Sequence, residues 1–369
     1  MKSASYSAIL CFIFLLVFEK GGKAQTKQQP FRVIAYYAAD TQAIDQFEVG
    51  QLTHIIYSFC HLKGNKLNVD DGRDSATIKK LVSLKQNYPR LKILLSLGGW
   101  GGCKTCSDVF STQPAREEFA SSVRALADYF GTDGIDLDWE YPTIAGHPGH
   151  PYKAEDKEHF TALVQALRAS LGNKQEISFA AGGFKKYLEE SVDWKKVMAV
   201  ADYVNLMTYD LVNGATPHTG HHTPLYSTAQ QQESADACVN FLDSIGVPKS
   251  QLVIGAAFYG RSWTGVEPTQ QGLYQPGDFK SFMPYRNFAN QVSEAKGFRF
   301  YYDSVAHASY AYNAKEKVFA TFDDRASIEA KTKYALRKGL GGIMFWELSL
   351  DKPADGLLNV ISQAVKSVK

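Results

Sequence analysis

The 369-residue chain is 45% hydrophobic and 21% charged, with a formal net charge of +2. That composition excludes a disordered or collagen-like chain, and the near balance of charge gives no ground for a nucleic-acid partner. The unusual figure is the aromatic content of 13%, with 20 Tyr, 22 Phe and 5 Trp, since flat rings serve a core and also contacts with sugars or bases.

Residues 1–24 read as a secretory signal peptide: Lys2 opens it, Ile9 to Phe18 is an apolar run too short to span a bilayer, and small residues precede a cut after Ala24. The chain is therefore expected to be secreted, extracellular or periplasmic, with no membrane attachment once the signal is removed. Lys2, Glu19, Lys20 and Lys23 carry the whole of the +2, so residues 25–369 are formally neutral. Of the five Cys, Cys11 falls in the signal, leaving Cys60, Cys103, Cys106 and Cys238. Four Cys make no disulfide scaffold, and the Cys103-Lys-Thr-Cys106 spacing in an oxidising compartment reads as a small bridge stapling a loop.

Eight short apolar runs follow in order: Arg32–Tyr37, His54–Phe59, Lys92–Leu97, Gly134–Trp139, Ile177–Ala181, Tyr203–Tyr209, Leu252–Phe258 and Gly342–Trp346. Continuous apolar runs suit strands buried on both faces of a parallel sheet. Between them, Asp74–Asn87, Ala115–Tyr129, Ala154–Ser170, Ser234–Ile245 and Asp324–Lys338 repeat apolar residues at helical spacing. Eight strands alternating with helices predict a closed (β/α)8 TIM barrel over residues 25–369. Residues 263–321 break the rhythm with Tyr- and Phe-rich alternation. They predict a small α+β insertion between strands 7 and 8, forming a wall above the C-terminal ends of the strands.

The strongest chemical signal is Asp133-Gly-Ile-Asp-Leu-Asp-Trp-Glu-Tyr-Pro142. Strand alternation sets Asp136, Asp138 and Glu140 on one face, and Ile135, Leu137 and Trp139 on the other. Three carboxylates pointing into a barrel cannot all ionise, so at least one pKa is expected to rise. Glu140, nearest the open end, suits a general acid; Asp138, one pleat below, can hydrogen-bond a neighbour or a substrate; Asp136 can share a proton with it. Glycoside or ester cleavage fits, phosphoryl transfer does not for want of a phosphate loop, and a divalent metal is a second reading of the cluster. Asp133 is out of phase and reads as structural. His218, His221 and His222 have metal-like spacing but lack evident further ligands, and His147 and His150 read as loop residues near a cleft rim.

The ten-residue motif resembles the signature of glycoside hydrolase family 18, the family of chitinases and chitinase-like lectins. Ala35–Tyr37, the Ser-Leu-Gly-Gly-Trp of Ser96–Trp100, Met207–Asp210, Phe258–Arg261 and Gly342–Glu347 are similar to family motifs in the same order, and the interruption after strand 7 is similar to the insertion of the deep-cleft subfamily. The resemblance implies retaining, substrate-assisted hydrolysis of β-1,4-linked N-acetylglucosamine, in which the substrate's acetamido oxygen is the nucleophile. It implies that Glu140 is acid and then base, that Asp138 orients the acetamido group with Asp136 as proton partner, and that Tyr209 donates to the acetamido oxygen. It further implies that Asp210 contacts the same sugar, that Trp346 floors it, and that Tyr36, Phe59, Trp100, Tyr141, Met207, Tyr259 and Arg261 line the cleft. No cofactor and no metal is called for, chitin or its oligomers are the expected partner, and a monomer is expected. The alternatives are a non-catalytic lectin, which would lack the acid, and an endo-β-N-acetylglucosaminidase.

Overall fold

The computed structural model describes residues 31–367; the signal peptide read over residues 1–24 lies outside them. Each of the eight apolar runs forms a strand. They are β1 (Arg32–Tyr37), β2 (His54–Lys63), β4 (Lys92–Gly98), β5 (Gly134–Asp138), β6 (Glu176–Gly182), β7 (Tyr203–Met207), β8 (Leu252–Ala257) and β14 (Gly342–Trp346); a short β3 (Lys66–Asn68) folds back on β2 as a hairpin. The eight pair in parallel, and β1 bonds both β14 and β2, so the sheet closes into the predicted (β/α)8 barrel.

The helices α1 (Gly72–Ser83), α2 (Cys106–Val109), α3 (Gln113–Phe130), α4 (Asp156–Leu171), α5 (Lys185–Glu190), α6 (Trp194–Met198), α7 (Ala235–Ser244), α8 (Arg325–Lys338) and α9 (Leu357–Ser367) follow the strands, while the β1–β2 crossover holds only 3₁₀ turns. Asp71, Ser234 and Asp324 cap α1, α7 and α8 by accepting backbone N–H bonds, each satisfying donors that a helix start leaves orphaned. Trp139, in the outward phase of β5, is buried against Phe110 and Phe160. Asp133 accepts from Lys85 Nζ at 2.8 Å and from the Ile93 amide at 2.9 Å, tying the start of β5 to its neighbour.

Between β8 and β14 lies a second, antiparallel sheet: β9 (Tyr259–Thr264), β10 (Asp278–Pro284), β11 (Arg299–Asp303), β12 (Ala308–Asn313) and β13 (Val318–Phe322), in the order β10-β9-β13-β12-β11. Its helical content is confined to 3₁₀ turns. The sheet begins ahead of Trp263, because the chain leaves β8 and enters β9 across the single residue Phe258. The side chains of Tyr259 and Arg261 are thereby carried from the barrel rim onto the rising wall.

A buried ion pair ties this sheet to the barrel. Lys331 of α8, fully buried, donates to both Asp323 oxygens at 2.6 and 2.8 Å and to Thr223 Oγ1 at 2.5 Å. Asp323, the residue after β13, also accepts from Ser327 Oγ at 2.6 Å and from the Ala257 amide at the end of β8 at 3.0 Å.

Candidate active site

Barrel interiors are ordinarily filled by branched aliphatic side chains. Here the centre is polar, and the parallel register explains how. Asp136 lies beside Ser96 of β4 and Ser178 of β6. One carboxylate oxygen accepts from Tyr36 Oη at 3.1 Å and Ser96 Oγ at 2.9 Å; the other accepts from Ser178 Oγ at 2.7 Å and Asn205 Nδ2 at 3.2 Å. Burial raises the Asp136 pKa, and these four donors oppose the rise.

Asp138, one pleat higher, has no such shell. It is buried, its Oδ1 has no hydrogen-bond partner among the described residues, and burial together with the charges of Glu140 and Asp136 raises its pKa. The four donors around Asp136 favour its ionised form. Glu140 follows at the mouth, where burial lifts its pKa from 4.5 to about 7. That is the range in which a carboxylic acid can both give and regain a proton near neutrality.

Across the cleft, Tyr209 is buried, and among the described residues its hydroxyl has only the Met344 thioether at 3.9 Å as a partner. Burial raises the pKa of that phenol well above its ordinary value, so it stays protonated. Asp210 stands at φ +56°, a left-handed conformation that few residues besides Gly accept. Arg261 holds it with two bonds, Nε to Oδ1 at 2.5 Å and Nη2 to Oδ2 at 2.6 Å. These bonds, with His222 alongside, outweigh burial and pull the Asp210 pKa well below the usual carboxylate range.

The cleft has a volume of about 810 Å³, and Phe59, Trp100, Asp138, Glu140, Tyr141, Met207, Tyr209, Asp210, Tyr259, Arg261 and Trp346 all line it. Trp346 stacks on Phe59 with ring centres 5.5 Å apart. Trp100 stands at the rim, 59% exposed, with His147 edge-on at 5.4 Å. Tyr259 carries Phe282 of the second sheet stacked at 4.7 Å. The glycines before Trp100 are required by close approach: a Cβ on Gly98 would lie 2.2 Å from the Asp138 carbonyl oxygen, and one on Gly99 2.2 Å from the Phe59 ring. The next turn is clamped, because Cys103 and Cys106 are bonded, with Cα atoms 5.2 Å apart.

One expected wall residue is elsewhere. Tyr36 does not line the cleft: its ring is 1% exposed, and its hydroxyl is spent below the floor on Asp136. Its ring lies 5.8 Å from that of Trp346, on the neighbouring strand β14. The histidine pair is also divided, with His221 bonded to Asp303 at 3.0 Å and His222 placed 3.6 Å from Asp210. Among the described residues, no three His, Cys, Asp or Glu side chains converge as metal ligands. Phe184, Asn213, Glu233 and Phe282 line the cleft without having been singled out from the sequence. They lie on loops and on β10, where no motif marks them.

The fold and the site together define a carboxylate-lined cleft cut into the C-terminal mouth of a TIM barrel. Residues 32–351 match the family Glycosyl hydrolases family 18, and the chain belongs to that family. It is 36% identical to Chitinase A1 of Niallia circulans over 304 residues, 75% of this chain and 43% of that protein. The chain thus spans less than half of that relative. It is 31% identical to Chitotriosidase-1 of Mus musculus over 81% of this chain and 67% of that protein. Among solved structures, a family 18 N-acetylglucosaminidase from Paenibacillus barengoltzii superposes with a TM-score of 0.83 at 33% identity, over 91% of this chain and 100% of that one.

Proposed function

We propose that the chain is an exported chitinase, hydrolysing β-1,4 linkages between N-acetylglucosamine units with retention of configuration through substrate assistance. The observation that carries this reading is a matched pair of groups left unused among the described residues: the buried, unpartnered Asp138 Oδ1 and the Tyr209 hydroxyl, whose only partner there is a thioether. One is an acceptor and the other a donor, as the N–H and C=O of an acetamido group require. Leaving both unpaired in a dry site costs free energy, which a 2-acetamido sugar would recover.

In this reading Glu140, protonated below about pH 7, gives its proton to the glycosidic oxygen. The acetamido oxygen, aimed by Tyr209, attacks the anomeric carbon. Asp138 accepts the acetamido N–H and faces the positive charge of the oxazolinium ring, handing its own proton toward Asp136. Glu140, now ionised, takes a proton from water as that water opens the ring, which regenerates the acid and the β-anomer. Trp346, stacked on Phe59, presents a ring face to the sugar's C–H face. Glu140 distinguishes this reading from a non-catalytic lectin.

A second reading, release of single N-acetylglucosamine units, draws on the likeness to the Paenibacillus N-acetylglucosaminidase. Product lengths from a pure hexamer separate the two. The test of the main reading is Glu140→Gln, which should abolish hydrolysis of chitin oligomers while binding persists. Near-normal turnover in that variant would refute the acid assignment.

A further inference from the structure

Behind the cleft wall sits a titratable side chain that the reaction as derived leaves idle. His222, on the segment between β7 and α7, is fully buried and is not among the residues lining the cleft. Neither of its ring nitrogens has a hydrogen-bond partner among the described residues. Its Nδ1 stands 3.6 Å from Oδ1 of Asp210, just beyond hydrogen-bond range, and Asp210 does line the cleft. Burying an imidazole with both nitrogens unpaired costs free energy. An apolar side chain would fill the same space without that cost, so packing alone does not account for a histidine here.

The ring is held in place from several sides. The His222 amide donates to Thr321 Oγ1 of β13 at 3.2 Å, and its carbonyl accepts the amide of Leu211, the residue after Asp210, at 3.0 Å. The imidazole packs on Tyr259 with ring centres 5.3 Å apart. Burial lowers its pKa, with Asp210 opposing the shift and Arg261 adding to it. The ring is therefore neutral at pH 7 and carries one N–H. Beside an anion, that proton belongs on Nδ1.

Asp210 has room for this donor. An ionised carboxylate offers about four acceptor positions, and Arg261 fills two of them. A third donor can be taken without releasing the guanidinium. Hydrogen bonds that matter in catalysis often shorten only once substrate is bound. An idle N–H and an open acceptor position, already facing one another, are placed for such a closure.

We propose that His222 is a positioning residue for Asp210: as a sugar enters the cleft, its Nδ1–H closes onto the carboxylate from behind the wall and, with Arg261, fixes the face that Asp210 turns to the substrate. The proposal rests on the hydrolase reading above and adds a residue to it that never touches the sugar.

The test compares His222→Leu, which removes both nitrogens, with His222→Asn, whose amide N–H2 takes the place of Nδ1. Because the imidazole is unpaired, H222L should fold at least as stably as the wild type. Its kcat/KM for an N-acetylglucosamine hexamer should fall about tenfold, the scale of a hydrogen bond to a charged group. H222N should restore kcat/KM to within about threefold of the wild type. In an Asp210→Ala background, H222L should cost nothing further. Wild-type kcat/KM in H222L, an H222N as impaired as H222L, or the full loss persisting without Asp210 would each overturn the proposal.

Calorimetric titration with an N-acetylglucosamine tetramer, in a Glu140→Gln background, gives a readout independent of turnover. Binding about tenfold weaker with H222L is expected, and equal affinity would overturn the role assigned to His222. If the wild type did not cleave the hexamer while this difference persisted, the hydrolase reading would fall and the positioning of Asp210 by His222 would stand.

Discussion

Replacing Glu140 by Gln should stabilise the fold at alkaline pH while it disables the site. The side chain keeps its shape and loses only the ability to ionise. Folding raises the Glu140 pKa from 4.5 to about 7, so over that interval the native state binds a proton that the unfolded chain has released. The stability from holding it is fully present below 4.5 and is lost as pH rises through about 7. A rise of that size corresponds to about 3 kcal/mol. Glu140 is partly open to the cleft, and screening there reduces the figure to about 1–2 kcal/mol. Glu140→Gln escapes this cost, so its advantage over the wild type should be absent near pH 4, grow through pH 5–7 and level off by pH 8. In a chain of this length that gain is about 2–4 °C in Tm. Thermal unfolding followed by circular dichroism from pH 4 to pH 8 measures it. A variant that melts at or below the wild type at pH 8, or a gain that does not change with pH, would refute the claim that burial holds this carboxyl in its acid form. The expected pattern, stability gained where function is lost, is characteristic of an active-site group held under electrostatic strain.

Two further perturbations act away from the acid. Lys331→Met should destabilise the fold by about 3 kcal/mol, the lower end for breaking a buried pair, because Asp323 keeps the Ser327 and Ala257 donors. The double variant Asp323→Asn/Lys331→Met should recover part of the loss in urea titrations, and a single variant within 1 kcal/mol of wild type would contradict a structural role for the pair, on the usual ~1 kcal/mol scale of single substitutions. Replacing Cys103 and Cys106 by Ser should raise KM for long oligomers by about twofold to fivefold, with kcat changed less, because the Gly-rich turn that presents Trp100 loses its clamp. An unchanged KM would detach the bridge from substrate binding. Labelling of both thiols by iodoacetamide without reductant would show that the bridge does not form.

Much of the architecture is legible in the sequence because each parallel strand is buried on both faces and so reads as an apolar run. The phase of Asp136, Asp138 and Glu140 follows from the two-residue period alone. The donors around Asp136 were also within reach. Ser96, Ser178 and Asn205 are the polar interruptions in otherwise apolar runs, and such residues are buried only when they have partners. What the sequence does not carry is depth. Tyr36 belongs to a matched motif, yet its layer in the barrel is set by strand register and stagger, which no local pattern encodes. Phe282 and Glu233 reach the cleft because β10 and the β7–α7 segment fold over the mouth, and long-range placement of that kind leaves no periodic trace. The β1–β2 crossover shows the same limit from the other side, since 3₁₀ turns stand there in place of an α-helix.

The most direct test of the central claim is the anomeric form of the first product. Hydrolysis of a pure N-acetylglucosamine hexamer, followed by proton NMR before mutarotation sets in, should show the β-anomer forming first at the new reducing end. Early α-anomer, or no cleavage of the hexamer at all, would contradict retaining, substrate-assisted hydrolysis at Glu140 and Asp138.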